Sequence, residues 1–368
     1  MEPIVFLGAG LAGYQCAKEI RRLDGAVPLL IVASDSGDFY SKPMLSNAFA
    51  SNKTPDTLVL KRSAQMGQEL GADILPRAVV DAIFPEDREI AVRGRKIGYS
   101  KLVLALGADP IRFHEGTLSV NDLADYAKFR QALEGKKKVA ILGAGLVGCE
   151  FADDLSRAGF VVDVYDIADR PLGRLVPPEC GHWIERSLNV NWHFNAKVSK
   201  IEQGHVHLED GSVFDAEIVL SAIGLKPRTK LAFDAGIEVG RGIRVDRHLE
   251  TSQTDIYAIG DCMEVEGIVL PFVMPIMHAS RILAANLLGK REKLVYPAMP
   301  VVVKTPSCPL VVSPPNPEAK GQWQSESGTE GVKSLFIGDD GKMLGFALCG
   351  KVASEKNALA RELPQILS

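Results

Sequence analysis

One six-residue pattern occurs twice and restricts the fold of this chain more than any other feature. Gly8-Ala9-Gly10-Leu11-Ala12-Gly13 follows the apolar run Ile4-Val5-Phe6-Leu7, and Gly143-Ala144-Gly145-Leu146-Val147-Gly148 follows Val139-Ala140-Ile141-Leu142. Each copy leads into a helix-like segment, Tyr14 to Ile20 in the first and Cys149 to Leu155 in the second. Strand, glycine turn and helix in that order are the setting in which G-x-G-x-x-G holds a dinucleotide. The first glycine makes the tight turn, the second lets the backbone approach a pyrophosphate, and the third lets helix and strand pack closely. The phosphates then lie at a helix N-terminus. Two copies predict two dinucleotides held by one chain.

At 368 residues the chain is too long for one compact core and predicts two or three domains. A formal net charge of −4 argues against a general nucleic-acid surface. No apolar run approaches the length of a membrane span, and the N-terminus enters directly into a strand with no signal-peptide pattern. The expected location is the cytoplasm. Cys16, Cys149, Cys180, Cys262, Cys308 and Cys349 include no C-x-x-C or C-x4-C pair, which leaves a metal site and a redox-active local disulfide unsupported. They are expected to be small buried thiols in a reducing compartment.

After the first fingerprint, Leu29-Leu30-Ile31-Val32 predicts a buried parallel strand. It ends near Ser34 and Asp35, about the distance beyond the last fingerprint glycine at which an acid meets an adenosine ribose. Lys42, before Pro43, offers a cation near a pyrophosphate. Residues 56–72 read as helical, followed by strands around Val80 and Glu89–Val92. The apolar run Lys101 to Leu106 then ends at Gly107. The second unit repeats this plan. Val161 to Tyr165 ends at Asp166, placed to bind a free ribose 2′-hydroxyl and so to favour NADH over NADPH, with Arg170 and Arg174 close behind. Ile218 to Ile223 ends at Gly224. The fold class is therefore α/β, with two doubly wound Rossmann-like domains. Thr251 to Asp261 reads as a strand ending in Gly-Asp, and Met274 to Leu288 as a helix. Strands around Gln322–Ser325, Lys333–Gly338 and Met343–Cys349 predict a small α+β C-terminal domain, with a closing helix containing Glu355, Lys356 and Arg361.

Together these segments resemble the pyridine nucleotide–disulfide reductase class of flavoproteins over nearly the whole chain. The resemblance implies an FAD domain at 1–108 and 243–293, an inserted NAD domain at 109–242 and a C-terminal domain at 294–368. It implies that Gly8, Ala9, Gly10, Leu11, Ala12, Gly13, Ser34, Asp35 and Lys42 hold FAD. Val80 would meet the adenine, and Asp261 the ribityl–phosphate region. Gly143, Gly145, Gly148 and Asp166 would hold the nicotinamide nucleotide. Glu150 would contact FAD or nicotinamide. Lys304 and the helix N-terminus at Val273 would face the electron-rich edge of the reduced flavin.

Within the class, the missing cysteine pairs make the flavin the last redox group. Ser41-Lys42-Pro43-Met44-Leu45-Ser46, Gly148 to Ala152, Gly224 to Thr229 and Lys304 to Pro315 resemble the bacterial rubredoxin–NAD(+) reductases. Ferredoxin reductases that serve oxygenases usually read Arg-Pro-x-Leu-Ser-Lys in the first of these places. The resemblance implies hydride transfer from NADH to FAD, then single electrons to rubredoxin, an acidic carrier, feeding for example alkane hydroxylation. A ferredoxin reductase of an oxygenase system and a flavin-binding redox sensor are the alternatives. His278 is assigned no role, and Trp183, Trp192 and Trp323 are expected to pack.

Overall fold

The computed structural model describes residues 2–202 and 204–368. Two parallel sheets carry the two fingerprints. The first is ordered Ile256–Ala258, Lys101–Leu104, Ile4–Leu7, Leu29–Val32, Asp73–Leu75. The second is ordered Ile218–Ser221, Lys138–Leu142, Val161–Tyr165, Asn191–His193. In both, the fingerprint strand is central, its successor lies on one side, and the strand ending at a glycine lies on the other. Each unit also carries a three-stranded antiparallel meander, at 80–98 and 198–215. The repeat expected from the glycines thus extends through both units.

These strands are apolar because both faces are covered. Ile4, Val5, Phe6 and Leu7 are all essentially fully buried. Each such side chain contributes roughly 1.5–3 kcal/mol over an exposed one, as an upper bound. The helix after the first fingerprint, α1 (Leu11–Leu23), packs along α4 (Val273–Leu287), while α2 (Leu146–Arg157) follows the second fingerprint and α3 (Pro178–Ser187) lies beyond it.

The chain passes between the units twice, and the two passages pair. Ala108–Pro110 runs antiparallel to Leu225–Pro227. Gly107 (φ +72°) and Gly224 (φ +129°) stand at the start of these passages, in a backbone region that residues with a Cβ rarely adopt. From residue 301 a five-stranded antiparallel sheet follows, ordered Val301–Val303, Leu310–Ser313, Met343–Gly350, Gly331–Gly338, Gly321–Gly328. No helix among the described residues is long and apolar enough to cross a membrane.

The helix expected over 56–72 is broken. Pro55–Leu58 forms one turn capped by Thr54, Val59–Lys61 pairs with Phe39–Tyr40, and only Ser63–Leu70 is a further helix. Asp38 enforces the break: its carboxylate accepts from Ser63 N at 2.9 Å and from the Arg62 guanidinium at 2.9 Å. The closing helix is likewise short, a 3-10 turn at Lys351–Glu355 and one α turn at Lys356–Ala360.

Candidate functional site

The two glycine turns have the same steric signature. A Cβ on Gly8 would meet Ala105 O at 2.2 Å, and one on Gly13 would meet Gly8 O at 2.2 Å. In the second copy, Gly143 would meet Ala222 O at 2.8 Å and Gly148 would meet Gly143 O at 1.9 Å. Those four positions hold strand, turn and helix in contact. Gly10 and Gly145 differ, for a Cβ on either would meet nothing within 4 Å. The protein itself does not need glycine there; a group lying against the turn does. That open space at a helix N-terminus fits a pyrophosphate in both units.

The helix ends agree. Gly10 caps α1, Gly145 caps α2 and Phe272 caps α4, and none of these supplies a side-chain cap hydrogen bond. None of the three helices has an acid in its first turn. The helix Leu123–Ala132, by contrast, is capped by Asp122, which accepts from Asp125 N at 2.8 Å. Three uncapped N-termini leave N–H donors and positive helix-dipole ends available to anionic ligand groups. Val273, the first residue of α4, is exposed.

The other expected FAD contacts fall around the first turn. Ser34 and Asp35 are exposed just beyond Val32, and Asp35 accepts from Gly37 N at 2.9 Å, which shapes the turn. Val80 opens the first meander and is half-buried. Gly260 packs so closely on α1 that a Cβ there would meet Ala12 at 2.8 Å, and this fixes Asp261 beside the first fingerprint. Burial raises the Asp261 carboxyl above the usual carboxylate range, against the pull of Lys42. Lys42 donates to Asn121 Oδ1 at 2.8 Å, and burial holds its ammonium below the ordinary lysine value against the pull of Asp261. A folded-state pKa below the unfolded one means the buried charge opposes folding at neutral pH; that cost disappears as pH rises through the folded value toward 10.5. Lys42→Met is therefore expected to raise apoprotein resistance to urea near pH 7 while weakening FAD retention about tenfold. Urea titration with and without added FAD checks both.

Glu150 and Lys304, expected as separate contacts, form one cluster. Glu150 is buried, accepts from Ser46 Oγ at 2.6 Å and from Lys304 N at 2.9 Å, and pairs with the Lys304 ammonium. Asn47 Nδ2 donates to Lys304 O at 2.8 Å. One turn further along α2, Asp154 accepts from Phe49 N at 2.8 Å and Ala50 N at 3.0 Å, and Asp153 from Ser307 N at 3.3 Å. Carboxylates from the second nucleotide unit thus join the first unit to the C-terminal sheet. Sequence reading missed Asp153, Asp154, Ser46 and Asn47. The available signal was the i, i+3, i+4 spacing of three acids on one face of a short helix.

Asp166 serves the second glycine turn directly. Its carboxylate accepts from Ala144 N at 2.5 Å and Ala168 N at 2.7 Å, and so braces the second glycine turn. Arg170 is held by Asp169 at 2.6 Å and by Gly173 O at 3.2 Å, whereas Arg174 is exposed. Asp166→Asn is therefore expected to raise KM for NADH and NADPH alike, by about tenfold, since a charge-assisted hydrogen bond contributes about 1.5–3 kcal/mol. A loss confined to NADH in steady-state kinetics would show that the ribose contact alone matters.

Paired Rossmann-like units, linked by a two-stranded ribbon and followed by an antiparallel sheet, define a two-dinucleotide oxidoreductase architecture. The chain belongs to the pyridine nucleotide-disulphide oxidoreductase family, whose model matches residues 2–282. Residues 293–363 match the rubredoxin binding C-terminal domain. Over full length it is 43% identical to the rubredoxin-NAD(+) reductase of Alcanivorax borkumensis, covering 100% of both chains. It is 42% identical to the protein of that name from Acinetobacter baylyi, covering 100% of this chain and 99% of the relative. A solved ferredoxin reductase from Rhodopseudomonas palustris superposes with a TM-score of 0.88 at 24% identity, covering 99% of this chain and 95% of that one, and shares its fold.

Proposed function

We propose that the chain is an FAD-dependent NADH:rubredoxin oxidoreductase acting in the cytoplasm. The observation that carries this reading is the junction of the C-terminal sheet with the nucleotide units. The segment matching a rubredoxin-binding domain supplies Lys304, whose ammonium and backbone both engage Glu150 immediately behind the second fingerprint. A docked carrier and a bound flavin would then share one charged cluster. The six cysteines are free and buried, which agrees with a reducing compartment.

In this reading residues 1–108 and 243–293 hold FAD, 109–242 hold NADH and 294–368 receive the carrier. Gly8 to Gly13 and the N-terminus of α1 take the FAD pyrophosphate, with Lys42 beside it. Ser34 and Asp35 orient the ribose, Val80 borders the adenine and Asp261 the ribityl end. The Gly143, Gly145 and Gly148 turn takes the NADH pyrophosphate and is kept in shape by Asp166. When bound, FAD accepts a hydride and releases electrons one at a time. Lys304 and the N-terminus of α4 supply positive potential where negative charge develops. Glu150 holds the Lys304 side chain in place.

The test is NADH oxidation by the purified holoenzyme with rubredoxin and with a ferredoxin, each reduction followed optically. Fast rubredoxin reduction with little ferredoxin activity is the expected result. The reverse preference assigns the chain to an oxygenase system, and no turnover with either makes it a flavin-binding sensor.

A further inference from the structure

Arginine seldom gives up water without a full set of partners, yet the Arg170 side chain is only 19% exposed. Two glycines make room for it. A Cβ on Gly181, in the first turns of α3, would meet Arg170 Cδ at 2.7 Å, and one on Gly173 would meet Arg170 Cγ at 3.4 Å. The guanidinium pairs with Asp169 at 2.6 Å and donates to Gly173 O at 3.2 Å, while its Nε is buried with no acceptor among the described residues. The loop that carries Arg170 is tied to the second glycine turn on both sides of it. Asp166 accepts from Ala144 N, and Leu172 N donates to Ala144 O at 2.9 Å. Arg170 is thus rooted beside the dinucleotide turn and folded onto α3.

Packing alone does not account for this placement. An apolar side chain would fill the slot without burying an N–H that finds no acceptor. Gly181 has no positive φ, so its backbone does not require glycine, and alanine is the better helix former. What alanine would do there is push Arg170 out. That matters because of the loop on which Arg170 stands. NADH and NADPH differ only in the 2′-phosphate of the adenosine ribose, and the strand end at Asp166 is where that ribose is read. Asp166 meets such a phosphate with a charge of the same sign. Accepting one therefore calls for a cation, and the planar fork of arginine suits phosphate best.

We propose that Arg170 sets the nucleotide preference by being withheld. Folded between Gly173 and Gly181, it denies the second unit the cation that a 2′-phosphate needs, and once released it becomes that cation. The proposal rests on the reading that the second unit holds NADH. Two things keep the arm in place. The glycines admit its aliphatic stem, and Asp169 and Gly173 O take its fork. The Asp169 side chain is itself 64% exposed, and an ion pair so open to water is weak. The arm is therefore retained by its slot more than by its partner, and one methyl group in the slot is enough to release it. Gly181 is a positioning residue for specificity, and the ligand class admitted by the released arm is a 2′-phosphorylated adenine dinucleotide.

The experiment measures binding of NAD+ and NADP+ to the full FAD-loaded chain by calorimetry, beside steady-state kinetics with NADH and NADPH. Gly181→Ala should tighten NADP+ relative to NAD+ by about tenfold, the worth of one arginine–phosphate contact, and raise kcat/KM for NADPH by a similar factor. Asp169→Ala, at an exposed position, frees the fork by another route and should shift the ratio the same way by about threefold. Adding Arg170→Ala to either variant should cancel its gain, whereas Arg170→Ala alone should leave NADP+ binding as weak as in the parent. Survival of the gain without Arg170 would give the phosphate to the exposed Arg174 and overturn the proposal. So would an unchanged ratio in both Gly181→Ala and Asp169→Ala, or a loss of NADP+ affinity in Arg170→Ala alone. A parent chain that binds neither NAD+ nor NADP+ would remove the nucleotide from the second unit, and the proposal with it.

Discussion

Glu150→Ala is expected to destabilise the chain by about 3 kcal/mol and to abolish most NADH-driven turnover. The carboxylate is 6% exposed and receives a hydroxyl, a backbone amide and an ammonium from two other parts of the chain. Removing it leaves the Ser46 hydroxyl and the Lys304 amide without an acceptor and the Lys304 ammonium without a counter-charge. Breaking a buried pair from one side costs about 3–5 kcal/mol, because the remaining charge is desolvated and uncompensated. The Lys304 side chain is 31% exposed and retains some water, which places the expected cost at the lower end of that range.

Glu150→Gln separates charge from connection. Glutamine keeps an oxygen for one donor and loses the ion pair, so a smaller cost of about 1–2 kcal/mol is expected in urea unfolding. If Glu150 only braces the units, turnover in Glu150→Gln should follow the stability loss. If it also sets the potential at the flavin through Lys304, electron transfer should fall further than stability does. Equal unfolding midpoints for Glu150→Ala and the parent chain would remove the clasp from the account altogether.

The glycine turns and the fully apolar strands were legible in the sequence because their causes are local. A strand covered on both faces must be apolar along its length, and a turn with backbone 2.2 Å from a would-be Cβ must be glycine. Three of the five strands of the C-terminal sheet could likewise be read, while Val301–Val303 and Leu310–Ser313 lie in a proline-rich stretch that hides them. The break after Leu58 could not, because Asp38 meets Arg62 and Ser63 from 24 and 25 positions away, a contact that neither local segment announces. The same holds for the clasp. Glu150 and Lys304 were picked out one at a time by resemblance, and nothing within either segment says that they touch across 154 positions. Asp166 stands at its strand end as its spacing implies, but spacing alone does not show that its carboxylate accepts from the amide of Ala144.

A matched series of glycine substitutions is expected to split binding from folding. Gly145→Val adds atoms into space where a Cβ meets nothing within 4 Å, and Gly145 has no positive φ. The chain should fold, retain FAD and unfold in urea close to the parent midpoint. NADH, however, can no longer bring its pyrophosphate against the turn and the N-terminus of α2. Losing such charge-assisted hydrogen bonds costs about 1.5–3 kcal/mol, so KM for NADH should rise by roughly 10–100-fold. Gly148→Val places its side chain 1.9 Å from Gly143 O at the Cβ alone, which the helix and strand can relieve only by separating. That variant should lose folded protein before any kinetic change can be measured. Gly10→Val should mirror the first result in the other unit, losing FAD retention with a folded apoprotein. If Gly145→Val and Gly148→Val instead fail in the same way, the open space at the second glycine is not a ligand's place, and the assignment of the second unit to NADH falls with it.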